Sequence, residues 1–484
     1  MTATQIEDNA PLTNTNSWDT VFAVKIKDVN AAIKNNQASP TSMQQAMDED
    51  GMVTASFGDW FVGDSGDGNL LHLNIPIVEC EVVYNGKSSK LKEHLVAVAE
   101  VRLHFYDSVK NGGKEPPAAP SASINKNQDE AKQICLKVKH HKLHPDDEAV
   151  SAVSVDFGEL PGMMMLQALL PDAIKKWLNA NMQVFDHIFA TVNLNQKAAN
   201  GAFQWLMPTH TGYAFIRNEN DPAESTLGIL CMTEGRNYDT LVEELAYNAI
   251  PPQAAAGFLI SQERLMDKLI MPSLPKAFPG LTTEDFVVDD GGTMLLLNVD
   301  GKSFTVMHEN KEYQATLESF QLSLKDGKLS LHAQTKTTIT PHIYAHSTQD
   351  HAYSIELFSK PDGSQSLQYV ACSEPVILNS TSQDAGVGIG EMVATIIAGV
   401  MLAILTILTD GLVLVLVVII GGLLVGLIAS ASEIVQLIGT NDAPNVDLLL
   451  LNFTDPIRWT DQKDFTLSSA GLNGPLQLGG NFKT

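Results

Sequence analysis

The stretch LVAVAEVRLHF, residues 95–105, sets Leu95, Ala97, Ala99, Val101, Leu103 and Phe105 on one side of an extended chain and Glu100, Arg102 and His104 on the other. Successive side chains of a strand point to opposite faces, so a period of two predicts a half-buried β-strand. The same reading holds upstream, where Leu71, Leu73, Ile75 and Ile77 alternate with His72, Asn74 and Pro76. Both stretches predict long strands of an antiparallel sheet with one oily face.

Working outward, Ser17 or Asp19 is placed to cap a helix with Phe22, Ile26, Val29 and Ile33 at helical spacing, weakened at Asn35 and Asn36 and ended by Pro40. A turn follows at Asp48 to Gly51, and residues 111–128 have the composition of an exposed loop. A second helix is expected from Asp172 to Phe189, with Ile174, Trp177, Leu178, Phe185, Ile188 and Phe189 as its apolar stripe. Residues 203–216 and 227–232 read as strands, and Ser261 caps a third helix carrying Leu265, Met266, Leu269 and Ile270 before Pro272. From Thr293 to Val370 the pattern is again sheet. There Leu322 and Leu324 meet Leu329 and Leu331 across Asp326-Gly327, a strong hairpin signal. Helices and strands come in separate runs, which predicts an α+β fold with mainly antiparallel sheet. Pro251, Pro252 and three alanines suggest a division into units 15–255 and 256–484.

The second unit holds a hydrophobic block, Met392 to Ala429, interrupted by one charge at Asp410. Each half is long enough to cross a bilayer as a helix. Asp410-Gly411 suggests a tight turn, so a helical hairpin within 387–438 is the first expectation. Val413, Val415 and Val417 to Ile420 are β-branched, so a buried strand is the alternative for the second half. The block is expected to be buried in the fold or against a partner, to insert conditionally, or to span a membrane outright. Few basic residues flank it, and basic flanks orient true spans.

With 484 residues and 44% hydrophobic content the chain has material for a large core. Lys+Arg 31 against Asp+Glu 56 leaves a formal charge of −25, a field that repels nucleic acid, which is excluded as a partner. The first residues lack the basic start and apolar run of a secretory signal, so cytoplasmic synthesis is expected. Cys80, Cys135, Cys231 and Cys372 lie far apart, without a Cys-x-x-Cys pair, and are expected to be reduced core residues.

Four pieces of sequence resemble the P-forty-seven (P47) family of clostridial botulinum-type toxin clusters, a branch of the tubular lipid-binding (TULIP) superfamily. They are Trp18 to Phe22, Phe203 to Thr209, Phe258 to Ser261 leading into Met271-Pro272, and Leu476 to Asn481. The resemblance implies long curved antiparallel sheets wrapped around amphipathic helices, with an apolar seam that holds acyl chains. It also implies OrfX-type companion proteins or a toxin as partners and release as part of a toxin complex. Trp18, Asp19, Trp205 and Pro208 are the motif's structural residues.

Motifs for chemistry are sparse. Gly63-Asp64-Ser65-Gly66 is similar to a serine-nucleophile loop, but Asp67 replaces the expected glycine and no histidine motif accompanies it, so a turn is expected. Asp59, Asp64 and Asp67 miss calcium-loop spacing. His140, His141 and His144 beside Asp146 and Asp147 read as a solvated strand end. Gly386, Gly388 and Gly390 miss the dinucleotide fingerprint and read as a flexible entry to the block. No metal, cofactor or enzyme chemistry is expected. The expected function is that of a lipid-binding or toxin-accessory protein, with phospholipid or fatty acid and conditional membrane contact through Ile396, Leu402, Leu405, Val413, Val415 and Leu423. The alternative is a structural subunit of a toxin complex without lipid transport.

Overall fold

The computed structural model describes residues 12–47, 51–92, 95–108, 131–140, 148–158, 164–198, 201–299, 301–421 and 446–483. Among them every strand pairing is antiparallel. The strands make four sheets, and the helices are few.

A seven-stranded sheet is built around Leu70–Tyr84, with Gly51–Phe57 and Leu95–Val101 on its two sides. Leu71, Leu73, Ile75 and Ile77 are all buried on its inner face, as the alternation requires. An eight-stranded sheet from the second half is built around Lys311–Lys325, Lys328–Thr340 and Ile343–Ser359. Between them lies a six-stranded central sheet. Pro208–Ile216, Thr226–Thr233 and Thr20–Lys25 come from before residue 255, and Ala256–Ile260, Leu476–Lys483 and Lys463–Leu472 from after it. A four-stranded sheet joins Leu103–Asp107, Lys132–Val138, Ala190–Leu194 and Ile457–Trp459. One contiguous apolar cluster runs through both halves, from Phe22 and Trp60 to Phe304 and Leu408.

The helix Met164–Asn181 packs on the seven-stranded sheet, against Ser42–Met47, Leu70–Tyr84 and Val150–Asp156. It buries Leu166, Leu170, Ala173, Ile174, Trp177 and Leu178. The expected limits, Asp172 to Phe189, are displaced because Pro171 next to Asp172 imitates a helix start, whereas here the proline lies inside the helix. Phe185 and Phe189 are buried beyond its end, after a 3-10 turn at Met182–Val184.

Three further expectations are corrected. The first predicted helix divides into a strand, Thr20–Lys25, and a helix, Ile26–Asn35. The strand lies mid-sheet and is buried on both faces, so it shows no alternation and its Phe22 falls by coincidence at helical spacing to Ile26. The stretch 95–105 is two strands, because at Arg102 the chain passes from the seven-stranded to the four-stranded sheet. Leu103 N there donates to the Tyr213 hydroxyl (2.8 Å) and Lys139 N to Arg102 O (2.7 Å). Residues 203–206 form a 3-10 turn, with the strand starting at Pro208.

Other local signals hold. Ser261 Oγ accepts from Arg264 N at 3.3 Å, and Leu265, Met266, Leu269 and Ile270 are buried behind that cap. Asp326 and Gly327, at φ 52° and 72°, make the tight turn that pairs Leu324 with Leu329 and Leu322 with Leu331. The predicted loop 111–128 and the turn residues 48–50 lie outside the described residues.

Candidate functional site

The hydrophobic block begins as a single unbroken helix, Glu391–Gly421. At about 1.5 Å per residue it is longer than the roughly 30 Å hydrocarbon core of a bilayer. Asp410-Gly411 lies inside the helix, so the expected tight turn is absent there, and so is the alternative strand from Val413 to Gly421. A glycine in a helix costs only about 1 kcal/mol, too little to break an apolar run whose backbone must be hydrogen-bonded. The second arm of the expected hairpin, from residue 422, lies outside the described residues.

One stripe of this helix is seated on the fold. Ile397, Val400, Met401, Ile404 and Leu408 are buried, following the i, i+3, i+4, i+7 pattern. They face an environment made by Lys302–His308, Ile343–Ser359 and Gln365–Ala371 of the eight-stranded sheet, the turn at Leu265–Ile270 and the helix Asp447–Thr454. The rest is open. Over Glu391–Leu408 the mean hydropathy is 2.3, yet only 28% of the window is buried. Met392 is 79% exposed and Leu402 63%. Of the six residues expected to touch lipid, Leu402 is exposed, Ile396 and Leu405 are half-buried, Val413 and Val415 belong to the helix, and Leu423 lies outside the described residues. Before the helix runs the strand Val376–Gln383, which among the described residues pairs only with Ile343–Ser359 and is exposed along its whole length. It carries no charge. Its Val376, Ile377 and Leu378 were not marked by the sequence reading, since neither face is buried to create a period.

Trp18, Asp19, Trp205 and Pro208 converge at one end of the central sheet. Trp18 Nε1 donates to Val242 O at 3.0 Å. Asp19 is buried and does not cap a helix. Its Oδ2 accepts from Thr233 N (2.8 Å) and Thr233 Oγ1 (2.7 Å), while Oδ1 accepts from Arg236. Arg236 also binds Glu263 at 2.6 Å. The buried Arg264 guanidinium binds Glu234 and lies over the Trp205 ring, 5.4 Å from its centroid. Burial raises the Glu234 carboxyl, but hydrogen bonds from Arg264 and Lys268 carry it below its usual value. Pro208 opens its strand, and its carbonyl accepts from Asn195 N at 2.8 Å. The cluster ties the first strand to Thr226–Thr233 and to the turn after Ser261.

Sheet register brings a histidine to Ser65 that motif spacing did not reveal. His72 Nδ1 lies 2.6 Å from Ser65 Oγ, and His72 Nε2 lies 3.9 Å from Glu100 Oε1, which is opposite His72 in the ladder. Ser151 Oγ donates to Glu100 at 3.0 Å. The four residues form a row across neighbouring strands on the outward side of the seven-stranded sheet. Acyl transfer would also need convergent donors for an oxyanion and a cleft for the substrate.

His140 stacks on Tyr106 with ring centroids 4.5 Å apart, while His141, His144, Asp146 and Asp147 lie outside the described residues. Among the described residues no three His, Cys, Asp or Glu are grouped to hold a metal. None of the four cysteines forms a disulfide. Cys80, Cys135 and Cys231 are buried, but Cys372 is exposed and departs from the expected core placement, because it follows the strand Gln365–Ala371 at the sheet's rim.

Fold and site define a β-rich scaffold that carries an apolar helix seated by one stripe. The chain belongs to the OrfX-like family, whose model, described as Protein OrfX2/OrfX3/P47, matches residues 15–480. It is thus a protein of the OrfX-type toxin-cluster family. It is 30% identical to Protein OrfX3 of Paraclostridium bifermentans, over 97% of this chain and 98% of that one. It is 28% identical to Protein OrfX3 of Clostridium botulinum (strain Kyoto / Type A2), over 97% and 99%. Solved structures of P47 share the fold at 15% identity. P47 from Clostridium botulinum A2 superposes with a TM-score of 0.65 over 97% of this chain and 98% of that one, and P47 of Clostridium botulinum E1 with 0.62 over 97% and 100%.

Proposed function

We propose that this chain is a non-enzymatic accessory protein of an OrfX-type toxin cluster that takes acyl chains or a lipid surface against its apolar helix, on a TULIP-like scaffold. One observation carries the reading. The helix Glu391–Gly421 is apolar nearly throughout, and between Glu391 and Leu408 it is seated by the stripe from Ile397 to Leu408 while Met392 and Leu402 stand in water. Covering one such side chain fully contributes about 1.5–3 kcal/mol, and no charged contact is required. The acidic surface is therefore no obstacle to acyl chains, although it opposes anionic headgroups at long range. Two large sheets that each pack on one helix support the tubular reading.

A second reading has its own support. The uncharged strand Val376–Gln383 leaves one edge unpaired among the described residues, and a companion protein adding a strand there would extend the eight-stranded sheet. In that case the chain is a structural subunit and binds no lipid.

Flotation of the purified protein with phosphatidylcholine vesicles separates the two. The lipid reading expects the protein to rise with the vesicles and the exposed-site variant Leu402→Glu to stay behind. A protein that stays at the bottom of the gradient, and from which no lipid can be extracted, leaves the companion reading.

A further inference from the structure

The face of the central sheet turned away from the main core is covered by the segment 236–255, which packs Leu245 and Ala249 on Trp18, Val21, Ala23 and Leu230. Beside this small core lies a cavity of about 750 Å³, a size typical of ligand sites. Its walls are pinned. Trp18 Nε1 and Asn16 Nδ2 donate to the carbonyls of Val242 and Glu244, each at 3.0 Å, and Phe215 N donates to Gly68 O at 2.6 Å across the rim.

The chemistry of the walls is one-sided. Three nearly parallel rings run along one of them: His210 lies 3.3 Å from Tyr238 at 5° and 6.2 Å from Trp18 at 13°. Asp67, Glu243 and Glu244 supply carboxylates, and no Lys or Arg is among the lining residues. Glu243 is half-buried, and Gly212 makes room for it, since a Cβ there would stand 2.8 Å from Glu243 Oε1 and 3.0 Å from the Trp18 ring. Burial pushes the Glu243 carboxyl up, against a hydrogen bond with Asn69 and the nearby Arg102 charge, which both lower it. Burial also pushes His210 down to about 4, so at neutral pH the imidazole adds no positive charge.

We propose that this cavity binds a guanidinium, the side chain of an arginine on a protein partner. A planar guanidinium stacks on aromatic faces while its edge donates to carboxylates, which a compact ammonium cannot do. A protein source is favoured over a lipid headgroup by position. None of the elements packed on the apolar helix lines the cavity, so a membrane engaged by that helix is not the surface this cavity meets. A chain with a formal charge of −25 is moreover suited to a basic partner. The assignment does not rest on the lipid reading.

The test is calorimetric titration of the full chain with argininamide, with citrullinamide, whose neutral ureido group replaces the guanidinium, and with choline, alongside the variants Glu243→Gln and Glu244→Gln. Argininamide is expected to bind at least about tenfold more tightly than citrullinamide, as suits charge-assisted contacts, and each variant to weaken it by about tenfold. Glu244 is exposed, so its variant keeps the test valid should Glu243→Gln fail to fold. No binding of argininamide, equal binding of citrullinamide, or indifference to the foldable variants overturns the proposal. Preference for choline overturns it too and assigns the cavity to a headgroup.

Discussion

Gly399 of the apolar helix lies against the imidazole of His308, so close that a Cβ at this position would overlap the ring. His308 Nε2 is buried there without a hydrogen-bond partner. A glycine inside a helix is unfavourable by about 1 kcal/mol relative to alanine, and here it permits the helix to sit directly on the end of the strand Lys302–His308.

Gly399→Ala is accordingly expected to lift the helix from its seat. Overpacking of this kind costs typically 1–3 kcal/mol, against which the gain in helix propensity is smaller. Chemical denaturation should show a lower midpoint, and limited proteolysis should cut sooner near residue 391. Combining it with His308→Ala should recover most of the loss, because the second change removes the atom that the new methyl meets. Additive losses in the double variant would mean that the two sites do not share this contact.

Asp19 is 1% exposed and satisfies Thr233 and Arg236 together. Asp19→Ala would leave two Thr233 donors without their acceptor and remove the partner of a partly buried guanidinium. A loss of about 3 kcal/mol is expected, at the lower end for broken buried pairs because Arg236 keeps Glu263 and some solvent contact. Equilibrium urea unfolding measures it. A change within about 0.5 kcal/mol, the usual range for surface positions, would contradict the role assigned to the cluster.

Acid should weaken the fold through buried histidine. His187 is buried and burial lowers its pKa from 6.5 to about 4, with the Asp186 charge opposing the shift. Between those values the unfolded chain binds a proton that the folded chain does not, so this contribution is complete above about pH 6.5 and is lost as pH falls through 4. The full span amounts to about 3 kcal/mol for this one group. Stability measured from pH 7 to 4 should fall with a slope that His187→Gln reduces. An identical slope in that variant would remove His187 from the account.

Legibility in the sequence followed burial on one face. The alternation at Leu71 to Ile77, the Asp326-Gly327 hairpin and the Ser261 cap are local signals, each tied to a period or a dihedral that a few residues impose. What escaped reading was decided by distant partners. Arg102 keeps the period of two while the chain changes sheets, because alternation records which face is buried and not which strand lies alongside. Thr20–Lys25 is buried on both faces and therefore has no period to detect. At Asp410-Gly411 a turn signal lost to the hydrogen bonding of the surrounding helix. His72 was hidden beside Ser65 because the bulged register between Phe61–Asp67 and Leu70–Tyr84 brings them together. For the apolar helix, composition marked the segment but not its orientation: Ile396 packs against the core while Leu402 faces out.

That orientation is open to direct measurement. In a Cys372→Ser background, which removes the exposed native thiol, a polarity-sensitive fluorophore on Leu402→Cys reports the outward face. On addition of phosphatidylcholine vesicles the account predicts a blue-shifted emission that brominated acyl chains quench. Emission at position 402 that stays water-like and unquenched at every lipid concentration would contradict it.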